Sequence, residues 1–342
     1  MDHVTRRQPT GAGSGDHIRG SARRSGRRVV VAAALGVILA IGACVPGPPA
    51  GLPSSPEVGP CPMFPADSYW YADVSSLPEH PRSGAWRTEI GAGAGLKADF
   101  GSGTWDGGPI GIPFTRVGAG QPRVPISFSY ADESDSGPYP IPPGAPREHG
   151  SDHHVIVVDD SDCTLYEVYD ATPLPDGSWD AGSGAVWDLR SNALRPDGWT
   201  SADAAGLPIL PGLVRYEEVA SGRIDHAVRF TAPRTQRSYL WPARHFASSS
   251  NDPNLPPMGA WFRLRPDYDT SWMHPQARVI ADALKVHGMI LADNGSSWFV
   301  SGAPDERWDD DGLRDLLSVR GSDLVAVDAE RHRVDPDSGR HR

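Results

Sequence analysis

Four side chains in the second half of the chain are suited to moving protons: His226, Asp203, Asp293 and His245. Four more could hold a polar ring: Arg229, Arg244, Trp241 and Trp199. Positioned imidazoles and carboxyls act as general acids and bases. Arginine forks grip carboxylates in pairs of hydrogen bonds. Trp199 and Asp203 sit in a stretch rich in Pro and Gly, from Leu194 to Leu213, which leads towards a strand bearing His226 and Arg229. Loops of that length in compact domains are functional or disordered, and this one carries too many apolar residues for disorder. Alternation puts His226, Val228 and Phe230 on one strand face and Ala227 and Arg229 on the other. His226 therefore reads either as an acid/base group or as a buried imidazole satisfied by the backbone. Trp241-Pro242-Ala243-Arg244-His245 combines an aromatic, a guanidinium and an imidazole, with a solvated strand end as the plain alternative. Asn294-Gly295 is a hairpin signal, and Asp293 just before it can point into a cleft.

Other carboxylates are plentiful: Asp132, Glu133 and Asp135, then Glu217 and Glu218. Paired carboxylates at a suitable separation hydrolyse glycosidic bonds. Asp159-Asp160-Ser161-Asp162 and Asp309-Asp310-Asp311-Gly312 offer oxygen ligands for calcium, but neither has the twelve-residue loop ending in Glu, so no metal site is assigned. No His-Glu-x-x-His, Gly-x-Ser-x-Gly or phosphate-loop Gly-Lys-Ser/Thr occurs. Gly91-Ala92-Gly93-Ala94-Gly95 has the wrong spacing for a dinucleotide fingerprint. No cofactor is expected.

Stepping outward from these residues, the start of the chain has its own logic. Arg23, Arg24, Arg27 and Arg28 precede an apolar run from Val29 to Ala43, and Cys44 follows. A spanning helix needs ~20 apolar residues. The charged flank, short apolar core and small residues Gly42-Ala43 fit an export signal, with a short membrane anchor as the alternative. Residues 1–43 read as a signal peptide and 44–60 as a flexible tether rich in Pro, Gly and Ser. A single β-rich domain then spans 61–328, and 329–342 read as a disordered tail. Beyond residue 43 the chain holds 25 basic and 41 acidic residues, a net charge near −16. That charge opposes nucleic-acid binding and docking on anionic lipid, leaving a lipid on Cys44 as the membrane attachment. Cys61 and Cys163 are the remaining cysteines, and an oxidising compartment favours their pairing.

The elements that must position the chemistry are mostly short strands. Runs at Val124–Tyr130, His154–Val158, Leu165–Tyr169, Ala185–Leu189, His226–Thr231, Ser238–Trp241, Trp261–Leu264, Met289–Ala292 and Trp298–Val300 have β character. The two runs flanking Asp159–Asp162 predict a hairpin. Pro275 to His287 has helical spacing, with Pro275 in the first turn and Gly288 at the exit. A second helix follows Asp309–Asp311, whose charges suit a helix start. The fold expected is all-β, a jelly-roll-like sandwich with two small C-terminal helices; the alternative is an α+β mixed sheet.

The segment Ile41-Gly42-Ala43-Cys44 resembles a bacterial lipoprotein lipobox. The motifs Thr200-Ser201-Ala202-Asp203-Ala204-Ala205-Gly206-Leu207-Pro208, Ile224-Asp225-His226-Ala227, Trp241-Pro242-Ala243-Arg244-His245 and Ala292-Asp293-Asn294-Gly295 resemble a group of exported bacterial lipoproteins, of actinobacterial type, with no assigned activity. The resemblance implies one exported domain, lipid-anchored and facing away from the cytoplasm. Export, a tether and clustered Trp, Arg, His and Asp then point to an enzyme acting on polysaccharide by hydrolysis or lysis. A non-catalytic glycan-binding lipoprotein and a structural envelope protein are the other readings.

Overall fold

A computed structural model describes residues 57–342. The signal-peptide, lipidation and most of the tether readings, Cys44 included, lie outside the described residues. Among these, no helix is long and apolar enough to cross a membrane.

The chain is β-rich with small helices, as its alternating runs predict. Ten strands form the two main sheets: β1 (Lys97–Asp99), β2 (Phe114–Val117), β3 (Val155–Asp159), β4 (Thr164–Tyr169), β5 (Ser183–Asp188), β6 (Val228–Ala232), β7 (Trp261–Leu264), β8 (Met289–Asn294), β9 (Phe299–Ser301) and β10 (Leu324–Val327). One sheet has the order β5-β4-β3-β2 and the other β10-β7-β8-β6-β9-β1. The pairs β2/β3, β6/β8 and β9/β1 are parallel. A jelly roll's antiparallel order is therefore absent, and the six-stranded sheet is mixed, as the alternative reading has it. Parallel neighbours need a long crossover, and β6 reaches β8 through β7 and the helix Pro275–Val286.

The predicted hairpin forms: β3 and β4 pair antiparallel from Val155↔Val168 to Asp159↔Thr164. All five residues of β3 are buried. Ile156 and Val158 enter the main core, while Val155 and Val157 enter a second cluster with Tyr139 and Tyr166. A strand covered on both faces reads as an unbroken apolar run. At the turn, Ser161 N donates to Asp159 Oδ1 at 3.0 Å, and Arg116 Nε donates to Asp160 Oδ1 at 3.1 Å. These carboxylates serve the turn, and the described residues contain no cluster of three or more His, Cys, Asp or Glu set to hold a metal. Cys163, at the hairpin end, forms the expected disulfide with Cys61.

The long helix, α3, follows α1 (Ser83–Ile90) and α2 (Tyr216–Ser221), neither of which its short sequence pattern announced. Ala277, Ile280, Ala281 and Leu284 form the buried stripe of α3; Ile280 and Leu284 each contribute about 1.5–3 kcal/mol by burial. Gly288 ends it at φ 67°, where a Cβ would lie 2.4 Å from the Phe262 carbonyl oxygen. The acidic start of the last helix is α4 (Asp310–Leu313), capped by Asp309 accepting from Gly312 N.

Four expectations need correction. The domain begins before Cys61, because Glu57–Val58 pairs with Cys61–Pro62. The segment 329–342 is folded: Tyr69 N donates to Gly339 O at 2.7 Å, Gly339 N to Asn192 O at 2.7 Å, and Ala329–His332 form a 3-10 turn. Main-chain hydrogen bonds and ion pairs hold it, so its poverty in apolar side chains misleads. Ser238–Trp241 makes only an isolated bridge, Tyr239 to Met258. Asn294-Gly295 joins no hairpin, because β6 lies between β8 and β9.

Candidate functional site

Four neighbouring strands, β8-β6-β9-β1, present a polar row on one sheet face. Alternate residues of a strand share a face. Lys97 and Asp99, Arg229 and Thr231, and Phe299 and Ser301 line one cleft with Asp293. Phe230 and Val300 between them are buried in the core, where Phe230 packs on Phe262 and Trp298. The cleft measures about 980 Å³, and parts of segments 105–112 and 148–154, with Asp310, Leu313, Arg314 and Leu317, form its other walls.

Arg229 is the hub. Its Nε and Nη2 donate to Asp203 Oδ2 and Oδ1 at 2.8 and 2.9 Å. Nη2 also reaches Asp293 Oδ2 at 3.1 Å, and Nη1 donates to Ser301 Oγ at 2.6 Å. Asp203 is fully buried and backs Arg229 from the long loop, as Ser201 Oγ receives its N–H at 2.9 Å. Asp293 owes its aim to a bulge: Phe230 pairs with Leu291, but Thr231 pairs with Asp293, leaving Ala292 as the extra residue. Bulges re-aim side chains beside functional sites. The bulged Ala292 carbonyl accepts from Ala205 N at 2.9 Å, which docks the Asp203 loop against the strand.

Burial and the Asp203 charge lift the Asp293 carboxyl to about 7, against the pull of Arg229. Across the cleft, Glu148 accepts from His154 Nδ1, and His154 Nε2 donates to the Ala202 carbonyl at 2.9 Å. The segment closes on itself, with Glu148 N donating to His154 O at 2.9 Å. Burial works against a charged His154, yet the Glu148 carboxylate outweighs it and raises the imidazole to about 9. Burial opposes ionisation of Glu148 too, and His154 more than offsets this, so Glu148 lies below the usual carboxylate range. Asp99 is pushed up by desolvation. The site thus pairs a carboxyl that holds a proton near neutrality with a carboxylate that does not.

Of the residues singled out in the sequence, Asp203, Arg229 and Asp293 converge. His226 does not: it is buried elsewhere, with Nε2 on Glu218 Oε2 at 3.3 Å and Nδ1 on Ala227 O at 2.8 Å. It precedes β6, so the strand alternation never reaches it. His245 Nδ1 bonds the Ala204 carbonyl at 2.8 Å, and its ring stacks on Phe246. Arg244 donates to Arg195 O, Pro336 O and Asp337 Oδ1 at 2.7–2.8 Å, pinning the C-terminal segment. Trp241 is buried, with Nε1 on Ser338 O at 2.9 Å. Trp199 lies under the Arg195 guanidinium, 5.4 Å from ring centre to Cζ. None of these five lines the cleft. Four other carboxylates are committed elsewhere: Asp135 to Arg195, Glu218 to Arg215, Glu217 to Arg307, and Glu133 to the Thr200 N–H; Asp132 does not line the cleft. Residues missed from sequence are Asp99, Glu148, His154 and Trp105. The available signal was the strand triplets Lys97-Ala98-Asp99 and Phe299-Val300-Ser301, polar or aromatic on alternate positions.

No protein-family model, curated protein or solved structure matches this chain.

Proposed function

We propose that the protein is an exported, lipid-anchored hydrolase that cuts a polysaccharide in the cleft over β8-β6-β9-β1. The observation that carries this reading is the contrast between Asp293, raised to about 7, and Glu148, held low by His154, on the walls of one cleft. Two carboxyl groups with opposed protonation are what glycoside hydrolysis requires. Asp293 gives its proton to the glycosidic oxygen as the C–O bond breaks. Glu148 takes a proton from water as the water oxygen bonds to the sugar carbon. Arg229 fixes Asp293, and Asp203 fixes Arg229. Trp105, 65% exposed at the cleft wall, offers a face for a sugar ring. The Cys61–Cys163 disulfide supports an oxidising compartment, in line with a lipid on Cys44.

Release of reducing ends from a panel of bacterial and plant polysaccharides tests the proposal. Turnover should fall as pH rises above about 7, where Asp293 loses its proton. Asp293→Asn and Glu148→Gln should each reduce it by about 100-fold or more with the folded state intact. Retained binding without turnover on any substrate would replace the enzyme with a glycan-binding protein. Turnover unchanged in both variants would remove these two residues from the mechanism.

A further inference from the structure

We infer that the cleft accepts an amine-bearing sugar chain in preference to neutral or acidic ones, held by Asp99, Asp106 and Asp152 and by the exposed face of Trp105. This rests on the glycan reading above and names its substrate class.

The guanidinium and imidazolium groups lining the cleft are already paired with carboxylates. Arg229 is bound by the Asp203 carboxylate through two hydrogen bonds and touches Asp293 through a third, and His154 is bound by Glu148. Arg314 Nη1 lies 3.2 Å from Asp311. Lys97 Nζ sits over the Phe299 ring, 4.3 Å from its centre. His149 Nε2 is 3.0 Å from the Asp106 carbonyl. A uronate or sulfate entering the cleft would find no free guanidinium, and only the Lys97 ammonium outside an ion pair among the described residues. The carboxylates are placed the other way. Asp99, Asp106 and Asp152 line the same walls, and none forms an ion pair among the described residues. Asp152 accepts only from Ser151 Oγ, at 3.0 Å.

Trp105 is an independent observation. It is the most exposed large apolar side chain among the described residues, and it belongs to the cleft wall beside His149 and Asp106. An indole face attracts a cation as well as the apolar face of a sugar. Walls of low dielectric concentrate the field of the unpaired carboxylates within the cleft. A ring with a protonated amine satisfies both features at once; a neutral ring uses only the indole, and an anionic ring meets three unpaired carboxylates against the single Lys97 ammonium.

Binding of three six-residue oligosaccharides to the purified protein tests this: glucosamine, N-acetylglucosamine and galacturonate oligomers. Measurement at about pH 5.5, by thermophoresis in low and high salt, keeps the amines charged. The glucosamine oligomer should bind about tenfold more tightly than its acetylated counterpart in low salt, the gap closing in high salt as screening shortens the field. Asp99→Asn with Asp106→Asn should abolish the preference, and Trp105→Ala should weaken both amine and acetylated ligands. Both sites are exposed, so folding should persist, with circular dichroism as the check. Equal or tighter binding of the galacturonate oligomer, or a preference untouched by the aspartate changes, would overturn the inference while leaving a glycan cleft. Failure of every oligomer to bind would overturn the glycan reading with it.

Discussion

Replacing Arg229 with methionine tests the hub of the site directly. Arg229 is 4% exposed and Asp203 1%, so the substitution leaves a carboxylate sealed from water without its partner. Both Asp203 oxygens lose their donors, at 2.9 and 2.8 Å, while Asp293 and Ser301 each lose one. Methionine keeps most of the aliphatic stem, so lost packing is the smaller part. Breaking one side of a buried ion pair costs about 3–5 kcal/mol. With a urea slope of ~3 kcal/mol/M for a chain of this size, the unfolding midpoint should fall by about 1–1.7 M. Combining Arg229→Met with Asp203→Asn removes charge from both sides and should restore at least about 2 kcal/mol. The assay is equilibrium urea unfolding of the disulfide-intact protein, followed by tryptophan fluorescence. A loss below about 1 kcal/mol, or a double variant no more stable than the single, would refute the claim that the buried pair organises the site.

Three further outcomes are expected. His154 should remain protonated at neutral pH and titrate at about 9 in imidazole nitrogen NMR, with Glu148→Gln moving it down. Its folded value lies above the unfolded ~6.5, so the stability it confers is full below that value and is lost as pH rises through about 9. Replacing Cys61 and Cys163 by alanine opens a link across 102 residues and should cost up to about 4–5 kcal/mol, read as a lower thermal midpoint. Ending the chain after Asp328 removes the partners of Arg244 and Trp241; losses of about 1–3 kcal/mol per buried group left unpaired should appear as faster proteolysis near Arg244.

The site was partly legible. Arg229 and Asp293 stood out because polar residues interrupt β-like runs, and Asp203 because a long apolar loop carries it. The placement of Arg229 opposite Phe230 follows from strand alternation alone, and the fold keeps it. His226, His245, Arg244 and Trp241 were equally conspicuous by type, yet their polar atoms serve backbone carbonyls and the C-terminal segment. Residue type announces a need for partners and does not say whether substrate or backbone supplies them. Glu148 escaped notice because it lies in an irregular segment with no periodic pattern, and His154 because it reads as the first residue of an apolar run whose strand begins only at Val155.

Local chemistry in the sequence determined the hairpin over Val155–Tyr169, the buried stripe of α3 and its exit at Gly288, and the two cysteines available to pair. Such features depend on repeat spacing and backbone preference within a few residues, which the order of side chains carries directly. The folded chain alone decided that β6 lies between β8 and β9, that Ala292 bulges to turn Asp293 towards Arg229, and that His154 faces Glu148 across from them. Strand neighbours and bulges arise from packing between segments far apart in the chain, so no local pattern encodes them.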